Sequence, residues 1–230
     1  MLAGSGQRIN RDSEMRPWAK WLIAIPFIGV YSLGVPWLVS GRLCWFVGDW
    51  ADTVFVLAVA GMWLGGTVFY QPGRGQRGAS LTRGLISVGL ILLLPVAVYD
   101  RTHGPAASSP AFWTWLGLAL CVAAAPVGIL AWRTLGRFYV ADPEVLPQQR
   151  LRTDGIYAHL RHPMYTAALL WVVGFPLIIR SGWGALAGIL FIGPAVWLRI
   201  REEEAMLLKA FGEQYRQCQA RTWRLVPFLF

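Results

Sequence analysis

Charge is scarce in this chain. Only 14% of its 230 residues are Asp, Glu, Lys or Arg, where a soluble domain carries about 25%. Acids are scarcer still, 12 against 21 Lys and Arg. Cysteine is nearly absent, and Cys44, Cys121 and Cys218 stand far apart. That pattern excludes zinc-ribbon and CxxC redox spacings and offers no disulfide framework. The three read as small buried hydrophobes. Histidine is limited to His103, His159 and His162, so no metal site is expected.

Apolar residues fill the space. They make up 56% of the chain, with 13 tryptophans and a mean hydropathy of +0.47. They come in long blocks rather than at amphipathic spacing, which reads as membrane helices. The blocks predict spans at about 21–39, 51–70, 84–99, 112–132, 164–179 and 183–198. A full crossing takes roughly 20 residues, so the two short final spans read as a tight helical hairpin. Pro176 and the "RSGWG" turn at 180–184 fit that reading. The expected fold is therefore all-α, a polytopic bundle of about five to six transmembrane helices, with no second soluble domain. The polar first twenty residues read as a cytosolic tail, since a cleaved signal has a shorter apolar core nearer the start.

The basic excess is a topology signal rather than a nucleic-acid footprint. With the N-terminus inside, segments 1–20, 71–83, 133–163 and 199–230 hold eighteen of the 21 Lys and Arg residues. The outer connections hold only Arg42, Arg101 and Arg180. This asymmetry predicts both termini on the cytosolic side of an inner (cytoplasmic) membrane. Attraction to anionic lipid headgroups is a secondary consequence.

The chain divides into a four-span scaffold, 1–132, and a more polar part, 133–230. No chemical constellation appears in the first. Its Gly- and Arg-rich loop 71–83 has no Walker spacing, and Asp100 and His103 are placed in an outer loop. No acid or base pair is expected inside spans one to four, which argues against a transport path. In the second part, "GIYAHLRHPMY" precedes the hairpin and "RIREEEAMLLKAFGEQY" follows it. A hairpin returns to the side it left, so these two stretches must meet at one interface. Arg199 and Glu203 share a helix face. Glu202, Glu203 and Glu204 point in three directions, so at least one faces away from solvent. Gly212 ends or bends that helix. Two plainer readings stand beside a site: Arg199 and Glu203 as a simple surface ion pair, and Arg161 and His162 as headgroup anchors beside an aromatic belt.

These residues resemble the isoprenylcysteine carboxyl methyltransferases and their phospholipid-methylating relatives. The family pattern is matched by Gly155 and Tyr157, then by Arg161, His162, Pro163 and Tyr165. After the hairpin come Arg199, Glu203, Glu204, Leu207, Phe211, Gly212 and Tyr215, with Pro227 near the end. "LGRFY" at 135–139 is similar to the family's entry to this region. The resemblance covers 133–230; the first four spans match only in being apolar. Gln149 to Arg152 replace a frequent His-x-Leu-Val, Ala167 a frequent Gly, and Cys218 a frequent Tyr.

The resemblance implies an S-adenosylmethionine-dependent methyltransferase without a Rossmann sheet. It implies cofactor contacts from Gln149, Arg150, Leu151, Arg152, Gly155, Tyr157, His162, Pro163, Met164, Tyr165 and Glu203. It assigns catalysis to Arg199 and Glu203, with Arg199 orienting the acceptor. Methyl transfer from a sulfonium is an in-line displacement that demands positioning. The donor's zwitterionic end needs both signs nearby; Glu203 suits its ammonium and His162 its carboxylate. Tyr157 and Tyr165 offer aromatic faces. An acceptor carboxylate needs no base; an amine or thiol needs one, and Glu204 or Glu202 are candidates. The expected acceptor is lipidic or a small hydrophobic molecule: an isoprenylcysteine carboxylate, a phospholipid amine or a thiol. Membrane lipids are the expected surroundings, and no nucleic acid or protein partner is inferred. The alternative is an NADPH-dependent reductase of the sterol-reductase type, with Arg150 and Arg152 on the 2′-phosphate.

Overall fold

The structure, a computed structural model, describes residues 29–42, 48–69, 81–105, 110–136 and 150–227. Gln149, Cys44, residues 137–139, the N-terminal tail and most of loop 71–83 lie outside these ranges. Among the described residues seven helices follow in order: α1 Val30–Ser40, α2 Trp50–Phe69, α3 Leu81–His103, α4 Phe112–Leu135, α5 Pro163–Ile178, α6 Gly182–Phe211 and α7 Glu213–Arg221. Among the described residues there is no named strand, only a parallel bridge between Leu160 and Trp223. Gly84–His103, Phe112–Leu135 and Gly182–Phe211 are long and apolar enough to cross a membrane. Val30–Ser40, Trp50–Gly61 and Pro163–Ile178 are shorter apolar helices. Leu38, Leu57, Val122 and Phe191 are exposed around the outside, as lipid-facing side chains of an integral membrane protein are.

Prolines within these helices free backbone carbonyls that must find donors in an apolar medium. Pro95 in α3 cannot donate to Ile91 O. Tyr31 of α1 supplies the missing donor: its hydroxyl lies 3.1 Å from Ile91 O and 2.7 Å from Leu90 O. The bond pins α1 to α3.

Glycines bring α4 and α5 into backbone contact. A Cβ on Gly117 would lie 2.6 Å from Gly174 O and from Ile178 N. Small residues at helix crossings are how membrane helices gain close packing. One core cluster then joins Tyr31, Phe55, Val59, Leu94 and Val98 to Phe175, Ile178 and Ile179. A second, of Val172, Ile192, Val196 and Ile200, lies nearer the other end, with Tyr165 and Leu225 against it.

The α5–α6 hairpin turns tightly at Ile179–Ser181, and Arg180 adopts a left-handed φ of 61°. Asp100 holds this tip, accepting from Ser181 Oγ at 2.8 Å and from Trp183 N at 3.1 Å. This corrects the loop placement of Asp100 and His103: α3 runs to His103, and Asp100 is buried. Beside the tip, Arg101 binds Asp52 at 2.8 Å and Asp49 at 2.8 Å, and Arg180 lies 3.6 Å from Asp49. This pair joins Asp52, in the first turn of α2, to Arg101, in the last turn of α3 and beyond the 84–99 span read from the sequence.

Candidate functional site

At the opposite end of the hairpin the two polar stretches meet. Pro163 occupies the first turn of α5, where its missing N–H costs nothing. The chain before it is irregular after a 3-10 turn, and residues 159–162 pair with 223–224 around one bridge. Arg161 N donates to Trp223 O at 2.8 Å, His162 N to Arg224 O at 3.1 Å, and Trp223 N to His159 O at 2.9 Å. Thr166 Oγ1 donates to Leu225 O at 2.7 Å. Gly212, with φ of 51°, ends α6 and starts α7 in the next residue. The C-terminal segment is thereby folded back onto "LRHP".

Three expected site residues converge on a fourth, Glu203. Tyr165 Oη donates to Glu203 Oε1 at 2.5 Å. Arg199 Nε lies 3.7 Å from the same oxygen, and His162 Nδ1 lies 3.6 Å from Oε2. These last two are ion-pair distances, longer than a direct hydrogen bond. Arg199 is buried at 3%, whereas the Glu203 side chain is 23% exposed. Glu203 is therefore braced by three side chains while its own side chain stays partly exposed. Tyr165 contributes its hydroxyl here, a different use from the aromatic face read from the sequence.

Glu204 has another fate. It accepts from Arg161 Nε at 3.1 Å and from Arg224 Nε and Nη2 at 3.2 and 2.9 Å, and His162 Nε2 sits 3.5 Å away. Arg161 Nη1 also donates to Gln219 O at 3.0 Å and to Thr222 O. A carboxylate 8% exposed and held by two guanidiniums is a structural anchor and a poor base. Glu202, 48% exposed, accepts from Thr82 Oγ1 at 2.9 Å, tying α6 to the start of α3.

His162 lies between the two carboxylates with its side chain 4% exposed. Burial pushes its pKa down, but Glu203 and Glu204 more than offset that, and the net direction is upward. Both nitrogens face carboxylates, so the structure casts the ring as a brace for Glu203 rather than a receptor for a ligand's carboxylate.

The remaining expected residues that are described lie in the chain leading to α5 and in its first turn. Arg150 and Arg152 are exposed, and Arg152 lies 3.7 Å from Asp154. Leu151 and Tyr157 are half-buried. Gly155 opens a 3-10 turn at φ 57°, and a Cβ there would lie 2.9 Å from Thr134 Oγ1 at the end of α4. Met164 turns the other way, into an apolar cavity of about 450 Å³ shared with Tyr31, Phe55, Ala97, Ala124, Gly128 and Trp171. Arg224 is the member the sequence reading missed: it follows α7 in irregular chain, with no periodicity to mark it.

The phospholipid methyltransferase family profile matches residues 112–214. A probable protein-S-isoprenylcysteine O-methyltransferase of Oryza sativa subsp. indica is 27% identical over 161 residues, covering 67% of this chain and 84% of that one. The protein-S-isoprenylcysteine O-methyltransferase of Schizosaccharomyces pombe is 33% identical over 79 residues, covering 34% of each chain. Among solved structures, a eukaryotic intramembrane Ras methyltransferase, isoprenylcysteine carboxyl methyltransferase, superposes with a TM-score of 0.65 at 22% identity. That match covers 90% of this chain and 76% of the other. Nothing in these matches supports the NADPH-reductase alternative.

Proposed function

We propose that this chain, a membrane methyltransferase similar to the isoprenylcysteine carboxyl methyltransferases, takes S-adenosylmethionine as donor and methylates an acceptor with an apolar tail. The observation that carries the reading is a junction. Met164, between the Glu203-bracing residues His162 and Tyr165, is also a wall of the apolar cavity. A charged cluster and an apolar cavity therefore share one turn of α5.

The donor's chemistry fits the residues present. When bound, S-adenosylmethionine supplies an electrophilic methyl on a sulfonium next to a zwitterionic amino-acid end. Glu203 offers a braced, partly exposed carboxylate to the ammonium. His162 and Tyr165 hold that carboxylate in one orientation, and Arg199 balances its charge. Arg150, Leu151, Arg152, Gly155 and Tyr157 line the approach as the nucleoside side, with Gln149 preceding them. Pro163 starts α5 and fixes where Met164 and Tyr165 point. Arg199 orients an anionic acceptor headgroup with its fork. An acceptor carboxylate is already a nucleophile, which suits a site whose most buried acid, Glu204, is committed to two arginines.

The proposal keeps the division of labour read from the sequence: 1–132 as scaffold and wall of the acceptor cavity, 133–230 as the methyltransferase core. It keeps the orientation as well, with the site and both termini on the cytosolic face of an inner membrane, as the basic asymmetry supports.

Calorimetric titration of the detergent-solubilised protein tests the donor. S-adenosylmethionine binds and NADPH does not. Glu203→Ala abolishes donor binding; Arg199→Lys keeps donor affinity within about threefold and lowers kcat/KM at least about tenfold. Donor binding by Glu203→Ala at wild-type strength overturns the site. Mass spectrometry of lipids and proteins from cells fed labelled methionine, with and without the chain, names the acceptor.

A further inference from the structure

The Glu204 cluster carries an inference of its own, and it rests on the reading of the Glu203 pocket as the donor site. We infer that Arg224 is a positioning residue: acting through Glu204, it sets the protonation equilibrium of His162 and so the charge behind Glu203.

The geometry forms a relay. Arg224 grips Glu204 with two N–H groups, at 3.2 and 2.9 Å. Glu204 Oε1 faces His162 Nε2 at 3.5 Å, and Nδ1 of the same ring faces Glu203 Oε2 at 3.6 Å. His162 Nε2 makes no hydrogen bond among the described residues, so its electrostatic neighbour is the Glu204 carboxylate. Every charge around the ring is accounted for by element. α6 supplies Glu203, Glu204 and, behind Glu203, Arg199. The segment before α5 supplies Arg161 and the C-terminal segment Arg224, both on Glu204. α5 supplies Tyr165, with ring centroids 5.9 Å apart, and α7 supplies the buried Tyr215. Whatever neutralises Glu204 weakens its hold on the His162 proton, and whatever frees Glu204 strengthens it.

A merely structural role for Arg224 predicts something else. The C-terminal segment is docked through backbone bonds, His162 N to Arg224 O and Trp223 N to His159 O, which survive a change of the Arg224 side chain. The Arg224 side chain is 25% exposed, so it can be altered without emptying the core.

The two ends of the pair make opposite predictions. Against the opposing effect of burial, the Glu203 and Glu204 carboxylates hold the His162 proton more tightly than an ordinary histidine's. Arg224→Gln leaves Glu204 with Arg161 alone, so the His162 titration moves to higher pH. Glu204→Gln removes one of its two carboxylates, so the titration moves to lower pH. Arg224→Lys, which keeps a cation, stays near wild type. A raised pKa means the protonated ring's contribution is present at low pH and fades as pH rises through that pKa. The pH midpoint of donor affinity accordingly moves with His162 in each variant.

The test is a pH titration of ¹³Cε1-histidine-labelled protein in micelles by NMR, without donor. His162 is assigned with His162→Gln against His103 and His159. Opposite displacements for Arg224→Gln and Glu204→Gln establish the relay. Equal or absent displacement overturns it. If Glu204→Gln does not fold, Arg224→Gln decides alone: an upward shift restored by Arg224→Lys supports the relay, and an unchanged midpoint refutes it. If the His162 midpoints move apart while donor affinity ignores them, the relay stands and the donor-site reading falls.

Discussion

Tyr165 puts a hydroxyl 2.5 Å from Glu203 Oε1, and removing that oxygen alone tests whether bracing matters. Tyr165→Phe keeps the ring packed against Val172, Ile192 and Val196 and deletes one hydrogen bond to a charged group. Such a bond is worth about 1.5–3 kcal/mol. The variant should bind S-adenosylmethionine about ten- to a hundredfold more weakly while retaining its helix content by circular dichroism. Unchanged affinity would show that Glu203 needs no brace. At this scale much of the site was legible. A hairpin must return to its own side, so Tyr165 and His162 had to meet Arg199 and Glu203. Which of three adjacent glutamates faces which partner was not legible. The choice between Glu203 and Glu204 depends on where the C-terminal segment lies, and Arg224 reaches Glu204 from twenty residues further along the chain.

Helix α4 meets α5 where Gly117 and Gly174 let backbones touch, and the two glycines differ in what opposes a side chain. A Cβ on Gly117 meets backbone atoms of Gly174, Leu177 and Ile178 at 2.6–2.9 Å. No rotamer change relieves such a contact, so the helices must part. Gly117→Ala is expected to cost about 1–3 kcal/mol of packing, read as a lower temperature of half-loss of soluble protein on heating in detergent. Gly84→Ala is the matched control, since nothing lies within 4 Å of its Cβ position. In a helix that change is neutral or stabilising by up to about 1 kcal/mol. Equal losses in both variants would mean that α4 and α5 are not held by close approach. The sequence displays both glycines without distinguishing them. A membrane span needs only length and apolarity to be recognised, whereas a helix crossing depends on which face turns inward, and apolar residues all round leave no stripe to mark that face.

Across the whole molecule, the described helices begin within a few residues of the spans read from the sequence at 51–70, 84–99, 112–132 and 164–179, whereas the last, read as a short 183–198, runs Gly182–Phe211 and is long enough to cross a membrane. Apolar length is a property of a whole segment, and local packing does not override it. What the topology hid is how the far end closes. Arg101 and Arg180 counted as outer-loop charges, yet they bind Asp52 and Asp49 beside the hairpin tip, which Asp100 caps. The apolar cavity reaches from Met164 to Pro176 of α5, and in the proposed reading it takes the acceptor's tail. Its reach is then set by the cavity's girth, and Gly128 is the place to narrow it. A Cβ at Gly128 makes only ordinary contact with Ala167, at 3.5 Å, leaving a larger side chain to extend into the cavity it lines. Gly128→Phe should raise KM for long-tailed acceptors at least about tenfold, the cost of excluding two or more buried CH₂ groups at about 0.8 kcal/mol each. Donor affinity and methylation of a short-tailed analogue should stay near wild type. Equal loss on long and short acceptors would instead show that the tail lies along the lipid-facing surface and that this cavity is not its seat.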